Sequence, residues 1–194
     1  MVIGVLALQG AFREHKNMLE RIGCQTRLVR YPAELEGLAG LVIPGGESTA
    51  IAKLMAIHGM YAPIREAYAQ GLALFGTCAG AILLAREIEG GRPDQEALGI
   101  MDMSIRRNAY GRQADSFETT VAFAGVVEDE VRGVFIRAPR FDRLGDQVRV
   151  LSGADDGEPL AVREGRALAV AFHPELTDDT RVHEYFVTQV VGSA

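Results

Sequence analysis

Along the chain, apolar runs of strand length alternate with stretches in which apolar residues recur every three or four positions. Residues 2–8 (Val-Ile-Gly-Val-Leu-Ala-Leu) have no polar face, as expected of a strand covered on both sides in a parallel sheet. In 13–22, Met18, Leu19 and Ile22 fall at helical spacing, and Gly23 stands where a helix C-terminal glycine belongs. Residues 25–29 and 38–43 repeat the strand signal. After the second of these, Pro44-Gly45-Gly46-Glu47-Ser48-Thr49 leads into a helix with Ile51, Leu54, Met55 and His58 on one face. Ser48 or Thr49 is the expected cap, and His58 reads as a helix-end residue. A further helix is expected over 60–70, with Pro63 tolerable in its first turn. Residues 72–84 then read as strand, sharp turn and helix.

Beyond Gly90 the texture changes. Apolar segments at 98–105, 117–123, 131–137, 148–152, 160–163 and 167–172 follow one another across turn-like breaks such as Asp155-Asp156-Gly157 and Glu164-Gly165. A final helix is expected over 178–191, capped by Thr177 or Asp178, with Val182, Tyr185, Phe186 and Val190 facing inward and His183 facing solvent. The fold class that follows is α/β: a doubly wound, mostly parallel sheet flanked by helices, with additional antiparallel strands in the C-terminal half. A single domain over 1–194 needs no linker.

Composition narrows the function more than the fold. A net charge of -6 argues against nucleic acid as a ligand. No apolar stretch approaches the about 18 residues of a membrane span, and the N-terminus lacks the basic leader of a signal peptide. Cys24 and Cys78 are too few and too far apart for a disulfide framework or a CxxC metal site. They read as free thiols in a reducing cytoplasm, with Cys24 packed at a strand entrance.

The candidate chemistry begins at Gly76-Thr77-Cys78-Ala79-Gly80. Glycines two residues either side of a cysteine, between an apolar strand and an Ala/Leu-rich helix, are the cysteine form of a nucleophile elbow. A buried structural cysteine in a glycine-rich crossover fits that window equally well. Phe172-His173-Pro174-Glu175 supplies what a cysteine nucleophile needs: His173 as base and Glu175, two residues on in an extended segment, as its orienting partner. Both stretches follow strands, where ligand sites of open α/β sheets collect. The Gly45-Gly46 turn at a helix start leaves amides free. The Gly46 N–H would join that of Ala79 as an oxyanion donor, although a merely structural turn is the alternative; no Gly-Lys-Ser/Thr ending supports a phosphate loop. The arginines of 106–118 and of Phe135-Ile136-Arg137-Ala138-Pro139-Arg140 suit a solvated rim or a carboxylate ligand.

Taken together, PGGEST (44–49), GTCAG (76–80) and FHPE (172–175) resemble the triad class of glutamine amidotransferases. LALQGAFREH (6–15), RRNAYGRQADSFE (106–118), FIRAP (135–139) and HPELTDD (173–179) narrow the resemblance to the glutaminase subunit of pyridoxal 5'-phosphate synthase. Arg140 departs from the histidine expected there. The resemblance implies that Cys78 attacks the amide of L-glutamine with His173 and Glu175 in support. It also implies that Gly46, Glu47, Ser48, Arg107, Ile136 and Arg137 contact glutamine, and that no metal or cofactor is needed. The implied partner is the synthase subunit of a hetero-oligomer, which takes the ammonia. Glutaminases serving a histidine- or purine-pathway synthase, a non-catalytic regulatory module, and a cysteine peptidase are the alternatives.

Overall fold

The structure, a computed structural model, describes residues 1–91, 95–107, 116–154 and 157–192. Asn108 to Asp115, within the arginine-rich stretch, and the Asp155-Asp156 turn lie outside them.

The apolar runs of the first half become the centre and one edge of a seven-stranded sheet. Strands β1 (Val2–Leu6), β2 (Gln25–Val29), β3 (Gly40–Ile43) and β4 (Ala73–Thr77) pair in parallel in the order β4-β3-β1-β2. Late in the chain, β12 (Ala167–Val170) pairs parallel to the free side of β4. Every residue of β3, β4 and β12 is buried, which is why these segments read as unbroken apolar runs. Helices α1 (Phe12–Arg21), α2 (Ser48–Ile57) and α3 (Tyr61–Ala69) connect the strands, and α4 (Ala79–Leu84) follows β4 directly.

Antiparallel strands β10 (Arg149–Gly153) and β11 (Pro159–Glu164) extend the sheet beyond β12. A three-stranded sheet, β5 (Ala85–Glu89), β6 (Met101–Arg106) and β9 (Arg140–Leu144), and a hairpin, β7 (Phe117–Ala122) with β8 (Glu130–Phe135), complete the second half. The expected antiparallel strands therefore do both available things, edging the main sheet and forming small sheets of their own. Strands β5 and β9 escape the sequence pattern. The apolar run after Cys78 stops being helical at Leu84 because Ala85 pairs with Met101, and Arg-Phe-Asp-Arg-Leu in β9 buries only Phe141.

The final helix differs from expectation. Its α-helical part, α5, spans only Arg181–Tyr185 with Thr180 at the N-cap, and Phe186–Val191 continues as a π-helix. Before it, the Asp179 carboxylate accepts from the Arg181 backbone and guanidinium and from the Arg132 amide, which ties residues 178–180 into a cap instead of a first turn. His183 is fully buried, not solvated, because its ring packs edge-on against Phe75 and hydrogen-bonds His15.

Among the described residues, no helix is long and apolar enough to cross a membrane.

Candidate active site

Three adjacent parallel strands, β3, β4 and β12, end at Ile43, Thr77 and Val170. The chain leaving each carries one part of the site. After β4, Cys78 sits between Thr77 and the first residue of α4 at φ 47°, ψ -101°, a conformation that costs a non-glycine residue about 1–3 kcal/mol. Its neighbours hold it there. The Cys78 N–H donates to the Val170 carbonyl at 2.9 Å, and the Cys78 carbonyl accepts from the Ile82 N–H at 3.2 Å. Gly80 is required by close approach: a Cβ there would overlap the carbonyl of Ile43. The thiol is thus presented at the tip of a strained turn, with its sulfur 3.9 Å from the Ile136 carbonyl oxygen.

After β12, the His173 N–H donates to the Val134 carbonyl at 2.8 Å, fixing the residue against β8. The segment that follows is not extended as the sequence suggests. Pro174 starts a 3-10 turn, Pro174–Leu176, because its fixed φ suits a first helical position. That turn still brings Glu175 back under the imidazole, with Nδ1 of His173 2.7 Å from Oε1 of Glu175. Burial opposes charge on His173, yet its hydrogen bonds to Cys78 and Glu175 outweigh it and raise the ring to about 10. Burial also opposes charge on Glu175, but the His15 and His173 rings hold the carboxyl down at about 2. The electrostatics therefore favour an imidazolium held against the Glu175 carboxylate, with the Cys78 sulfur as its other partner.

After β3, Gly45 lies so close to the imidazole that a Cβ would overlap its Cε1. Glycine is needed there for the ring. Glu47, not Ser48 or Thr49, caps α2: its carboxylate accepts from the amides of Thr49 and Ala50 at 3.2 and 2.8 Å and from the Thr49 hydroxyl. Glu47 reaches the cap because it sits one residue before the helix in extended backbone, while Ser48 is already in the first turn. Ser48 is buried, with its hydroxyl unpartnered among the described residues.

These segments enclose a cavity of about 280 Å³ lined by Cys78, Ala79, His173, Gly46, Glu47 and Ser48 on one side and by Arg107, Ile136 and Arg137 on the other. It therefore gathers the residues that the sequence proposes, except Glu175, which stands behind His173 and is fully buried there. Arg107 donates to Oε1 of Glu47 at 3.0 Å and to Gln95 at 3.1 Å. Arg137 sits at φ 45°, an uncommon backbone for arginine that redirects the chain after β8.

Gln9 and Ile82 line the cavity as well. Gln9 accepts from the Glu47 amide at 2.9 Å; its place directly after the first strand was the available signal. Ile82 gave none, being one apolar residue within an apolar helix. His15, Thr77 and His183 form a buried chain behind Glu175, and distances of 62 to 168 residues along the sequence concealed it. Among the described residues, no group of three His, Cys, Asp or Glu is placed to hold a metal.

A buried cysteine, a charged imidazole backed by a carboxylate, and backbone amides at two turns can perform acyl transfer on a small amide. Comparison with known proteins points to the same class. The chain is 52% identical over 190 residues to a pyridoxal 5'-phosphate synthase subunit PdxT of Corynebacterium jeikeium, covering 98% of this chain and 97% of that protein. It is 51% identical over 187 residues to the PdxT subunit of a Roseiflexus species, covering 96% and 99%. A crystal structure of a glutamine amidotransferase superposes with a TM-score of 0.92 at 50% identity, covering 99% of this chain and all of that one. The model of the SNO glutamine amidotransferase family matches residues 5–192. The chain belongs to the SNO glutamine amidotransferase family.

Proposed function

We propose that this chain, as one glutaminase domain over 1–194, hydrolyses L-glutamine to L-glutamate and ammonia, and passes the ammonia to a synthase subunit that makes pyridoxal 5'-phosphate. The observation that carries this reading is the Cys78–His173–Glu175 relay opening on a cavity that also holds Glu47, Ser48, Arg107 and Arg137. Full-length similarity to PdxT subunits supports the choice of synthase.

The Cys78 thiolate attacks the side-chain carbonyl carbon of glutamine, and the carbonyl π electrons move to oxygen. The oxyanion is met by the backbone N–H groups of Gly46 and Ala79. As the tetrahedral adduct collapses, the C–N bond breaks and the His173 imidazolium gives its proton to the departing nitrogen, which leaves as ammonia. The product is a glutamyl thioester on Cys78. The now neutral His173 takes a proton from water, hydroxide attacks the thioester, and glutamate leaves as the thiolate returns. Glu175 holds the imidazole through Nδ1 throughout. At the other end of the cavity, Glu47 suits the α-ammonium of glutamine, and Arg107 and Arg137 suit its carboxylate. Ser48 and Ile136 complete the substrate contacts. A reducing cytoplasm suits a chain whose two cysteines are both free.

The test is glutamate release from L-glutamine in the presence of the synthase subunit. Wild type turns over, and Cys78→Ala and His173→Asn do not, while both keep the wild-type circular dichroism spectrum. Substantial turnover by folded Cys78→Ala excludes this mechanism. Stimulation by a different synthase in place of the pyridoxal 5'-phosphate enzyme redirects the ammonia.

A further inference from the structure

Behind Glu175 lies a group that the glutaminase reaction does not itself require. His15, on α1, is fully buried, with Nε2 3.0 Å from the Thr77 hydroxyl and 3.5 Å from Oε2 of Glu175. Its Nδ1 lies 2.9 Å from Nε2 of His183 on α5. The Thr77 hydroxyl in turn accepts from the Gly45 N–H at 2.9 Å. One ring therefore touches, directly or through a single hydroxyl, both the carboxylate that orients His173 and the turn that carries Gly46.

The proton on His15 can be assigned from its surroundings. Among the described residues, Nδ1 of His183 and Oε2 of Glu175 have no hydrogen-bond partner, and His15 Nε2 lies 3.5 Å from that oxygen. If Nε2 of His15 were bare, its lone pair would face the carboxylate, and His183 would be left with a buried, unpartnered N–H. With the proton on Nε2, His15 donates toward Thr77 and Glu175, and its Nδ1 accepts from the His183 Nε2–H. The orphaned atom is then only an acceptor, which is the less costly outcome. Burial lowers both rings, His183 to about 3, so both favour the neutral form, with His15 facing the carboxylate and His183 behind it. The charged and titratable groups facing them are Glu14, His173, Glu175 and Asp179.

We propose that His15 is a positioning residue of the glutaminase centre: its Nε2–H bonds Thr77, and through it the Gly45 end of the oxyanion turn, while facing the second oxygen of Glu175 at 3.5 Å, so that relay and oxyanion hole are set by one buried ring. The proposal rests on the triad reading above. Loss of the Nε2–H removes the N–H dipole that faces a buried carboxylate oxygen with no hydrogen bond among the described residues, so the Glu175 charge becomes less favourable. The imidazolium loses support with it, and Cys78 reacts more slowly at a given pH.

The variants His15→Asn and His15→Gln separate this role from packing. The Gln amide reaches the Nε2 position, whereas the Asn amide stops near Nδ1. Two readouts are taken on folded protein: kcat and KM for glutamine with the synthase subunit present, and the pH dependence of Cys78 carboxamidomethylation by iodoacetamide, read by mass spectrometry on the Cys78 peptide. His15→Asn is expected to lower kcat about 10- to 100-fold, the usual effect of losing a group that orients a functional side chain. KM should stay nearly unchanged, and the acid limb of alkylation should move to higher pH. His15→Gln should restore both within a few-fold. Thr77→Val, which leaves the His15 ring in place, should also lower kcat. Wild-type kcat and an unmoved acid limb in folded His15→Asn overturn the proposal. So does an equal loss in the Asn and Gln variants that tracks their melting temperatures. Glutamate release that survives in Cys78→Ala instead overturns the triad reading, and the positioning role falls with it.

Discussion

The two walls of the cavity are built on different physics. The wall holding Cys78, Ala79, Gly46 and His173 hangs from β3, β4 and β12, whose residues are all buried and each of which is hydrogen-bonded to a strand on both sides. The wall holding Arg107, Ile136 and Arg137 comes from the ends of β6 and β8, at the margin of small sheets with exposed faces. There the surface is held by ion pairs such as Arg106–Asp142, Arg143–Asp102 and Arg132–Glu118, each between groups in contact with water, where solvent screening leaves little net attraction. The reacting atoms thus sit on the most deeply paired part of the sheet, and the arginines that suit the substrate carboxylate sit on a part that adjusts at little cost. Substitutions on the first wall should act on kcat and those on the second on KM.

The largest effect belongs to the nucleophile. Cys78→Ala should reduce glutamate release by about 10⁴-fold or more with a melting temperature close to that of wild type, since alanine loses only the sulfur and leaves the elbow's backbone hydrogen bonds intact. Next comes the close approach at Gly45. Gly45→Ala drives a Cβ into the His173 ring, and displacing a reacting group by about 1 Å costs on the order of 10²-fold; steady-state kinetics should show that loss in kcat. On the opposite wall, Arg107→Met removes one charged hydrogen-bonding partner, worth about 1.5–3 kcal/mol. It should raise KM about 10- to 100-fold while kcat changes much less. A kcat loss equal to the KM change would erase the distinction between the walls.

The smallest effect concerns stability. His183 titrates near 3 when folded, against 6.5 for an ordinary histidine. The unfolded chain therefore takes up a proton that the folded chain refuses, and stability falls as pH drops from about 6.5 toward 3. His183→Phe, a ring of similar shape among Phe75 and Phe186, should make urea midpoints at pH 4 and pH 7 more alike than in wild type.

The same contrast explains what could be read along the chain. The parallel core announces itself because burial on both faces leaves a local trace, a run of apolar residues with a glycine-rich turn after it; β1, β3, β4 and β12 and the segments carrying Gly46, Cys78 and His173 were legible for that reason. Strand β9 leaves no such trace, since its charged residues pair across the sheet surface and only Phe141 points inward. Glu47 was expected as a substrate contact and is also the cap of α2, a role decided by one residue of backbone geometry. His183 was misjudged because helical periodicity reports one buried stripe, and α5 is buried on a second side by α1. The His15–Thr77–Glu175 contacts join three elements far apart in sequence, and no local pattern encodes them.

The central claim is that Cys78 is a nucleophile placed for the side-chain carbonyl carbon of glutamine. Incubation of the chain with a diazo-ketone analogue of glutamine, followed by peptide mass spectrometry, tests it most directly. One stoichiometric adduct is expected on Cys78, blocked by excess L-glutamine and strongly slowed in His173→Asn, with Cys24 unmodified. Labelling that is absent, equal at Cys24, or indifferent to L-glutamine would contradict it.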